Sequence, residues 1–208
     1  EVEVLKEEAI EMVDGSTEST FKRKQINYVY DTNGDLISKS GSGTESTYIA
    51  YEDIPAEVKN TIISIEDKKF YKHNGVDYKA LVRAAKSIAE NGGEITQGGS
   101  TITMQLARNI YLDNDKNWRR KVQEIYIAWE LEKRYSKEKI LEYYLNNNYF
   151  SNGYYGIGDA CKGYFNCELS ELSISEIAFL CAIPNSPTYY DPLVKKAGRK
   201  SAVIANGE

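Results

Sequence analysis

The chain is poor in the residues that build metal sites and covalent frameworks: one histidine and three cysteines among 208 residues. A zinc finger or a His-rich site needs about four such ligands at close spacing. His73, Cys161, Cys167 and Cys181 offer none, and their spacing offers no disulfide framework; Cys161 and Cys181 read as small core residues. Positive charge is not in excess, since 26 Lys and Arg face 31 Asp and Glu for a net charge of −5. A nucleic-acid binder needs a basic face to displace counterions, so no nucleic-acid partner is expected. Long apolar runs are missing as well. The longest is the seven residues 177–183, against the ~20 that span a bilayer. There is no signal peptide, so any membrane anchor is expected on another segment.

What remains is a 41% apolar, 27% charged sequence, the balance of a globular domain with a short appendage. Residues 1–53 carry 12 acids and 5 bases, whereas 54–208 carry 19 acids and 21 bases. The first stretch reads as an acidic linker and the second as the main domain. Residues 1–20 are compatible with one short helix or with disorder. Segments 25–30 and 35–40 flank Thr32-Asn33-Gly34, and Asn-Gly is the strongest short hairpin signal because a type I′ turn needs two residues of positive φ. Gly41-Ser42-Gly43-Thr44 reads as a flexible link.

From Ile54 the period becomes helical. Val58, Ile62 and Ile65 follow Pro55; Leu81, Ala84, Ala85 and Ile88 form a second stripe, ended by Asn91-Gly92-Gly93. Ile102, Leu106 and Ile110 form a third, Val122, Ile125, Tyr126 and Trp129 a fourth, and Ile140, Leu141, Tyr144 and Leu145 a fifth. Ser173-Ile174-Ser175-Glu176 is a capping box, and Pro184 stops the helix behind it. Residues 90–99 hold four glycines and read as a mobile loop. The uncharged stretch 146–158, rich in Asn, Tyr and Gly, could stack on a sugar or serve as a polar loop. The fold class is mainly α, with a short N-terminal β-hairpin.

Among the carboxylates, Glu66 falls on the apolar lip of a helix end, where partial desolvation suits acid or base work. Glu124 lies three residues after Lys121, a pairing that alone reads as a surface contact. His73, before Gly75, reads more readily as a pin for a turn than as a base. Ser136-Lys137-Glu138-Lys139 matches Ser-x-x-Lys, but the only Lys-Thr-Gly-like triplet, Lys39-Ser40-Gly41, lies upstream, so Ser136 reads as a helix N-cap. Gly98 to Gln105 places glycines and hydroxyls at a helix start, where free N–H groups favour an anion. Arg108, Arg119, Arg120, Lys121, Lys137 and Lys139 stand near helix starts, arranged for an anionic ligand or simply solvated.

Together these segments resemble the peptidoglycan glycosyltransferases (glycosyltransferase family 51), found in class A penicillin-binding proteins and monofunctional transglycosylases. Five blocks match in order: Glu66-Asp67-x-x-Phe70-x-x-His73-x-Gly75; Gly98-x-Ser100-Thr101-Ile102-Thr103-x-Gln105; Arg120-Lys121-x-x-Glu124; Lys137-x-x-Ile140-Leu141-Glu142-x-Tyr144-Leu145-Asn146; and Gly156-Ile157-x-x-Ala160-x-x-x-Tyr164-Phe165. Met104 stands where the family usually has Gln, and Cys161 where it has Ala or Ser. The resemblance implies a lysozyme-like helical lobe facing a smaller jaw lobe that rests on the membrane. It implies that Glu66 is the catalytic base and Glu124 the second essential acid. Substrate contacts would come from Asp67, Phe70, His73, Gly75, Ser100, Thr101, Thr103, Gln105, Arg108, Arg120, Lys121, Lys137 and Asn146. The implied partners are lipid II, the growing glycan strand, the membrane surface, a transpeptidase domain in bifunctional relatives and moenomycin-type inhibitors. No cofactor is required, although a divalent cation, Mg or Mn, could sit beside the pyrophosphate. The implied location is the extracytoplasmic face of the bacterial membrane, anchored by an N-terminal segment absent from this chain. A lysozyme-like hydrolase and a non-catalytic cell-wall module are the alternatives that an assay must separate.

Overall fold

A computed structural model describes residues 1–22, 27–33, 36–40, 47–90, 98–113 and 117–191. Among them run nine α-helices and one two-stranded hairpin. The mainly helical class implied by the sequence is the one observed.

The first helix, α1 (Val2–Asp14), is a regular part of the packing. Leu5, Ala9 and Val13 are spaced one helical turn apart and are all buried. They face α5 (Trp118–Arg134), whose Arg134 guanidinium donates to the Val13 carbonyl at 2.9 Å. Phe21 then stacks flat on Tyr143, centroid to centroid 3.9 Å, while Asn147 donates to the Phe21 carbonyl. A stretch with the composition of a linker thus buries apolar groups in the same core as the main domain. The hairpin pairs β1 (Asn27–Tyr30) with β2 (Leu36–Ser40), antiparallel, with a register irregularity between Val29 and Tyr30. Asp31 accepts from the Asn33 N–H at 2.8 Å and opens the turn. Gly34 of the expected turn and the 41–44 link lie outside the described residues.

Residues 47–53 form a strap tied to α6 (Lys137–Asn147) and α7 (Ile157–Phe165). The Thr47 N–H donates to Asp159, and the Ile49 N–H and C=O both bond the Asn146 amide at 2.8 Å. Glu142 accepts from the Tyr51 N–H at 3.0 Å, from the Tyr48 hydroxyl and from Lys139 at 2.6 Å. Desolvation pushes the Glu142 carboxyl up, but the donors from Lys139, Tyr48 and Tyr51 outweigh it and hold the group below its ordinary 4.5. A carboxylate held low in the folded state stabilises above its unfolded pKa and loses that contribution as pH falls through the folded value. Thermal melts of the wild type should therefore drop steeply below about pH 4.5, and Glu142→Gln should flatten that acid limb while melting lower at neutral pH. Parallel acid limbs in the two proteins would show that Glu142 does not hold the strap.

The helices of the main body are α2 (Ala56–Glu66), α4 (Ile102–Tyr111), α5, α6, α7, α8 (Ile174–Ala182) and the short α9 (Pro187–Tyr190). Helix α6 is buried all round from Ile140 to Asn147, which makes it the axis of the core. Ser136 caps it, as the sequence indicates, and Ser173 with Glu176 forms the expected box on α8. Two expected stripes differ from the packing. On α5 the buried line is Glu124, Ile127, Ala128 and Leu131; Val122, Ile125, Tyr126 and Trp129 are only half-buried. An acid begins the true stripe, so a search for apolar period alone rotates the helix. On α2, Val58 and Ile62 are buried but Ile65 is exposed.

Helix α3 (Tyr78–Glu90) stands apart. Of its expected stripe only Ala84 is buried, with Leu81 half-buried and Ala85 exposed; the Ile88 side chain is outside the described residues, as are 91–97 of the expected mobile loop. Tyr78 and Val82 are 57% and 69% exposed. Beneath α3 lies a small second core of Val76, Met104 and Ala128, lined by Leu81, Ile125 and Trp129. Met104, in the place of the family's amide, is thus an internal packing residue.

The sequence spacing of the cysteines does not keep them apart. Asn166 adopts a left-handed conformation at the end of α7, and the chain doubles back so that the free Cys161 and Cys167 thiols lie 3.8 Å apart.

Candidate active site

The site is assembled on the first turns of α4. Thr101 caps this helix through the Met104 N–H, and its hydroxyl also donates to the Gly75 carbonyl. The Ile102 N–H, one of the orphan donors of the helix start, is taken by the Asp67 carboxylate at 3.1 Å. Asp67 in turn holds His73 Nε2 at 2.9 Å, both side chains being nearly buried. His73 is therefore a pin between the loop after α2 and the start of α4, as its sequence context indicates.

Glu66 is the last residue of α2. Its Oε2 accepts from Gln105 Nε2 at 2.8 Å, while Oε1 is buried with no hydrogen-bond partner among the described residues. Gln105 cannot turn freely: its Oε1 accepts from the hydroxyl of Tyr144 at 3.3 Å. Full burial and the nearby Glu66 charge hold Tyr144 well above its ordinary 10, so it remains a donor across the working pH range. Tyr144 thereby orients the amide with its NH₂ toward the carboxylate.

Glu124 faces the other side of the α4 start. It is 1% exposed, with Lys121 Nζ at 2.7 Å and Arg120 Nε at 3.5 Å. Lys121 also donates to Ser100 Oγ at 2.7 Å, tying the cluster to the residue before the Thr101 cap. Ser100 precedes the Thr101 cap and Gln105 lies in the first turn of α4, so the two acids are tied to the chain on either side of the start of this helix. Arg108, half-buried, lies one turn along from the same region.

The sequence-derived binding residues divide into two groups. Glu66, Gln105, Ser100, Lys121, Arg120 and Glu124 gather around the α4 start, with Arg108 about one turn further along the helix. Asp67, Phe70, His73, Gly75, Thr101, Thr103, Lys137 and Asn146 are occupied inside the scaffold. Thr103 and Lys137 both bond Glu132 at 2.6 Å, and Lys137 lies 4.5 Å over the Phe70 ring. Lys137 and Lys139, whose positions suggested an anion site, are thus partners of buried carboxylates, and Asn146 spends its amide on the strap. Two residues outside the sequence-derived binding set matter here: Tyr144, read from sequence as a core position and part of the fourth block, as orienter, and Glu132 as anchor. The signal for Glu132 was its place on α5, two steps of four from Glu124 through buried Ala128.

Gly75 illustrates the scaffold group. Its φ is +84°, and a Cβ would lie 2.8 Å from the Ala128 carbonyl oxygen on α5. Gly75→Ala combines a left-handed penalty with a backbone clash, about 2–5 kcal/mol together. The melting temperature should fall by about 10 °C; an unchanged melt would show that the loop moves aside at no cost.

The helical body thus carries two acids at the head of one helix, one of them beside two cations. The chain belongs to the transglycosylase family, whose family model, described as Transglycosylase, matches residues 33–206. It is 46% identical over 170 residues to penicillin-binding protein 4 of Bacillus subtilis (strain 168), covering 81% of this chain and 27% of that protein. Similarity extends to penicillin-binding protein 1F of the same organism, 44% over 179 residues, covering 85% of this chain and 25% of that protein. Penicillin-binding protein 1A of Pseudomonas aeruginosa is 41% identical over 166 residues, 80% of this chain and 20% of that protein. The chain spans about a quarter of the length of these three relatives.

Proposed function

We propose that the chain is a peptidoglycan glycosyltransferase that joins lipid II units into a β-1,4 glycan, with inversion and release of a polyprenyl pyrophosphate. The observation that carries this reading is Glu66: one carboxylate oxygen is fixed by Gln105, and the other is buried with no hydrogen-bond partner among the described residues. Such an oxygen is ready to take the proton of the acceptor 4-hydroxyl as that oxygen attacks the donor's anomeric carbon. The leaving diphosphate needs positive charge more than it needs a general acid. Arg120, Lys121 and Arg108 supply that charge, Arg by a two-pronged grip and Lys as a point charge. One displacement at an α-linked donor gives the β-linked product and no covalent intermediate.

A hydrolase would require its second carboxylate to act as base or nucleophile. Glu124 is poorly placed for that, since Lys121 and Arg120 already engage it. The same ion pairs argue against a divalent cation at Glu124. Mg²⁺ or Mn²⁺ beside a diphosphate takes most of its ligands from phosphate oxygens and water, but at Glu124 it would have to displace Lys121 and Arg120. The exposed Tyr78 and Val82 of α3 suit a surface that rests on the membrane carrying the lipid substrate, on its extracytoplasmic face. None of the described helices is long and apolar enough to cross a membrane.

The test is incubation with purified lipid II in one arm and soluble uncrosslinked glycan in the other. Glycan ladders from lipid II, suppressed by moenomycin, are expected. Cleavage of the soluble glycan would support a hydrolase, and inertness in both arms a binding module.

A further inference from the structure

We propose that Cys161 and Cys167 are a modification site: in the presence of a small-molecule disulfide they close into an intramolecular disulfide that clamps the C-terminal end of α7. This does not depend on the reading of the active site.

The local geometry produces the pair. Helix α7 ends at Phe165, and Asn166 takes φ 53° and ψ 37°, with its N–H bonded back to the Lys162 carbonyl. A left-handed residue just past a helix folds the following side chain onto the last full turn, and here that side chain is Cys167, against Cys161. The Cys161 thiol donates to the Cys167 carbonyl at 3.2 Å, and the sulfurs are 3.8 Å apart. Sulfurs in van der Waals contact have about 1.8 Å left to travel to the ~2.05 Å of a disulfide. Cys181 does not compete, because it is fully buried with its sulfur toward the Val58 carbonyl.

The two thiols differ in access, which sets the order of events. Cys161 is buried, and burial together with the neighbouring Cys167 pushes its thiol up to about 12. Cys167 is only half-buried, so it meets the oxidant first. Taking glutathione disulfide as that oxidant, the Cys167 thiolate attacks one of its sulfurs, forms a mixed disulfide and expels one glutathione thiolate, which takes up a proton. Cys161 then loses its proton to solvent and attacks Cys167 Sγ. The second glutathione leaves as a thiolate and is protonated in turn. Two protein thiols are oxidised and one external disulfide is reduced to two thiols. The second step is slow for a thiol of high pKa but intramolecular, with its target already in contact.

The bond would stiffen a helix with two outside attachments. Asp159 on α7 holds the Thr47 N–H of the strap, and the Tyr164 hydroxyl donates to the Phe150 carbonyl at 2.7 Å. The clamp therefore bears on the 149–155 turn as well as on α7.

The experiment uses the full 208-residue chain, equilibrated with glutathione disulfide or with dithiothreitol. Thiol titration in denaturant should fall from three per chain to one. Trypsin cuts after Lys162 and Glu-C after Glu168, so the digest should contain one linked pair of peptides carrying Cys161 and Cys167. The oxidised protein should melt about 5 °C higher, as expected for closing a short loop in a domain of this size. Cys167→Ser should abolish the link and the shift, whereas Cys181→Ala should leave both. Three persistent free thiols, a stable glutathione adduct on Cys167 without the internal bond, or a link to Cys181 would each overturn the proposal.

Discussion

Glu66→Gln is expected to lower the rate of glycan polymerisation from lipid II by at least about 10³-fold, within the range a positioned general base contributes. The substitution is nearly isosteric, and the amide oxygen it introduces can still accept from Gln105. The new NH₂ then takes the place of Oε1, the oxygen with no partner among the described residues. A donor stands where an acceptor of a proton is needed, so binding survives and the chemical step does not. Because Glu66 is half-buried at the end of α2 rather than in the core, the melting temperature should move by no more than about 2 °C. Affinity for a non-reacting lipid II analogue should stay within a few-fold. Polymerisation at more than a tenth of the wild-type rate would remove Glu66 from the role of base.

The site was legible in the sequence to the extent that local pattern determines it. Glu66 at a helix end, Thr101 at a helix start and Ser136 as a cap follow from neighbours within one turn. The depth of Glu124 does not. Its i, i+3 partner Lys121 reads as a surface pair, and only the packing of α4 on α5 buries the carboxylate to 1% exposure. The same packing decides which cations face the site. Lys121 and Lys137 look alike in the chain, each within the first turns of its helix. One reaches Ser100 and Glu124, while the other is consumed by Glu132 and the Phe70 ring. Long-range pairing also explains the N-terminal stretch. Leu5, Ala9 and Val13 form too short an apolar stripe to commit a helix alone, and α1 gains its stability from α5. The Cys161–Cys167 contact depends on the backbone sign at Asn166, a property that sequence spacing does not carry.

Glu124 and Lys121 should behave as one functional unit, and a double-mutant cycle on polymerisation measures it. Glu124→Gln leaves Lys121 and Arg120 facing each other without the intervening negative charge, so both side chains swing toward water and the diphosphate loses its preformed cationic wall. Lys121→Met removes the amine that bonds both Glu124 and Ser100 and leaves Glu124 with Arg120 alone. Each change is expected to cost about 10²-fold or more in rate, the scale of losing one preorganised charged contact to a transition state. The double variant should be no more than about threefold slower than the worse single one, since the second change removes a partner already idle. The two losses should also respond differently to salt. Added salt screens the like-charge repulsion left in Glu124→Gln and recovers part of its deficit, whereas Lys121→Met has no such repulsion to screen. Multiplicative losses in the double variant would mean that Glu124 acts on the substrate directly and independently of the lysine. The anchoring role assigned to it from its 2.7 Å contact with Lys121 would then be wrong.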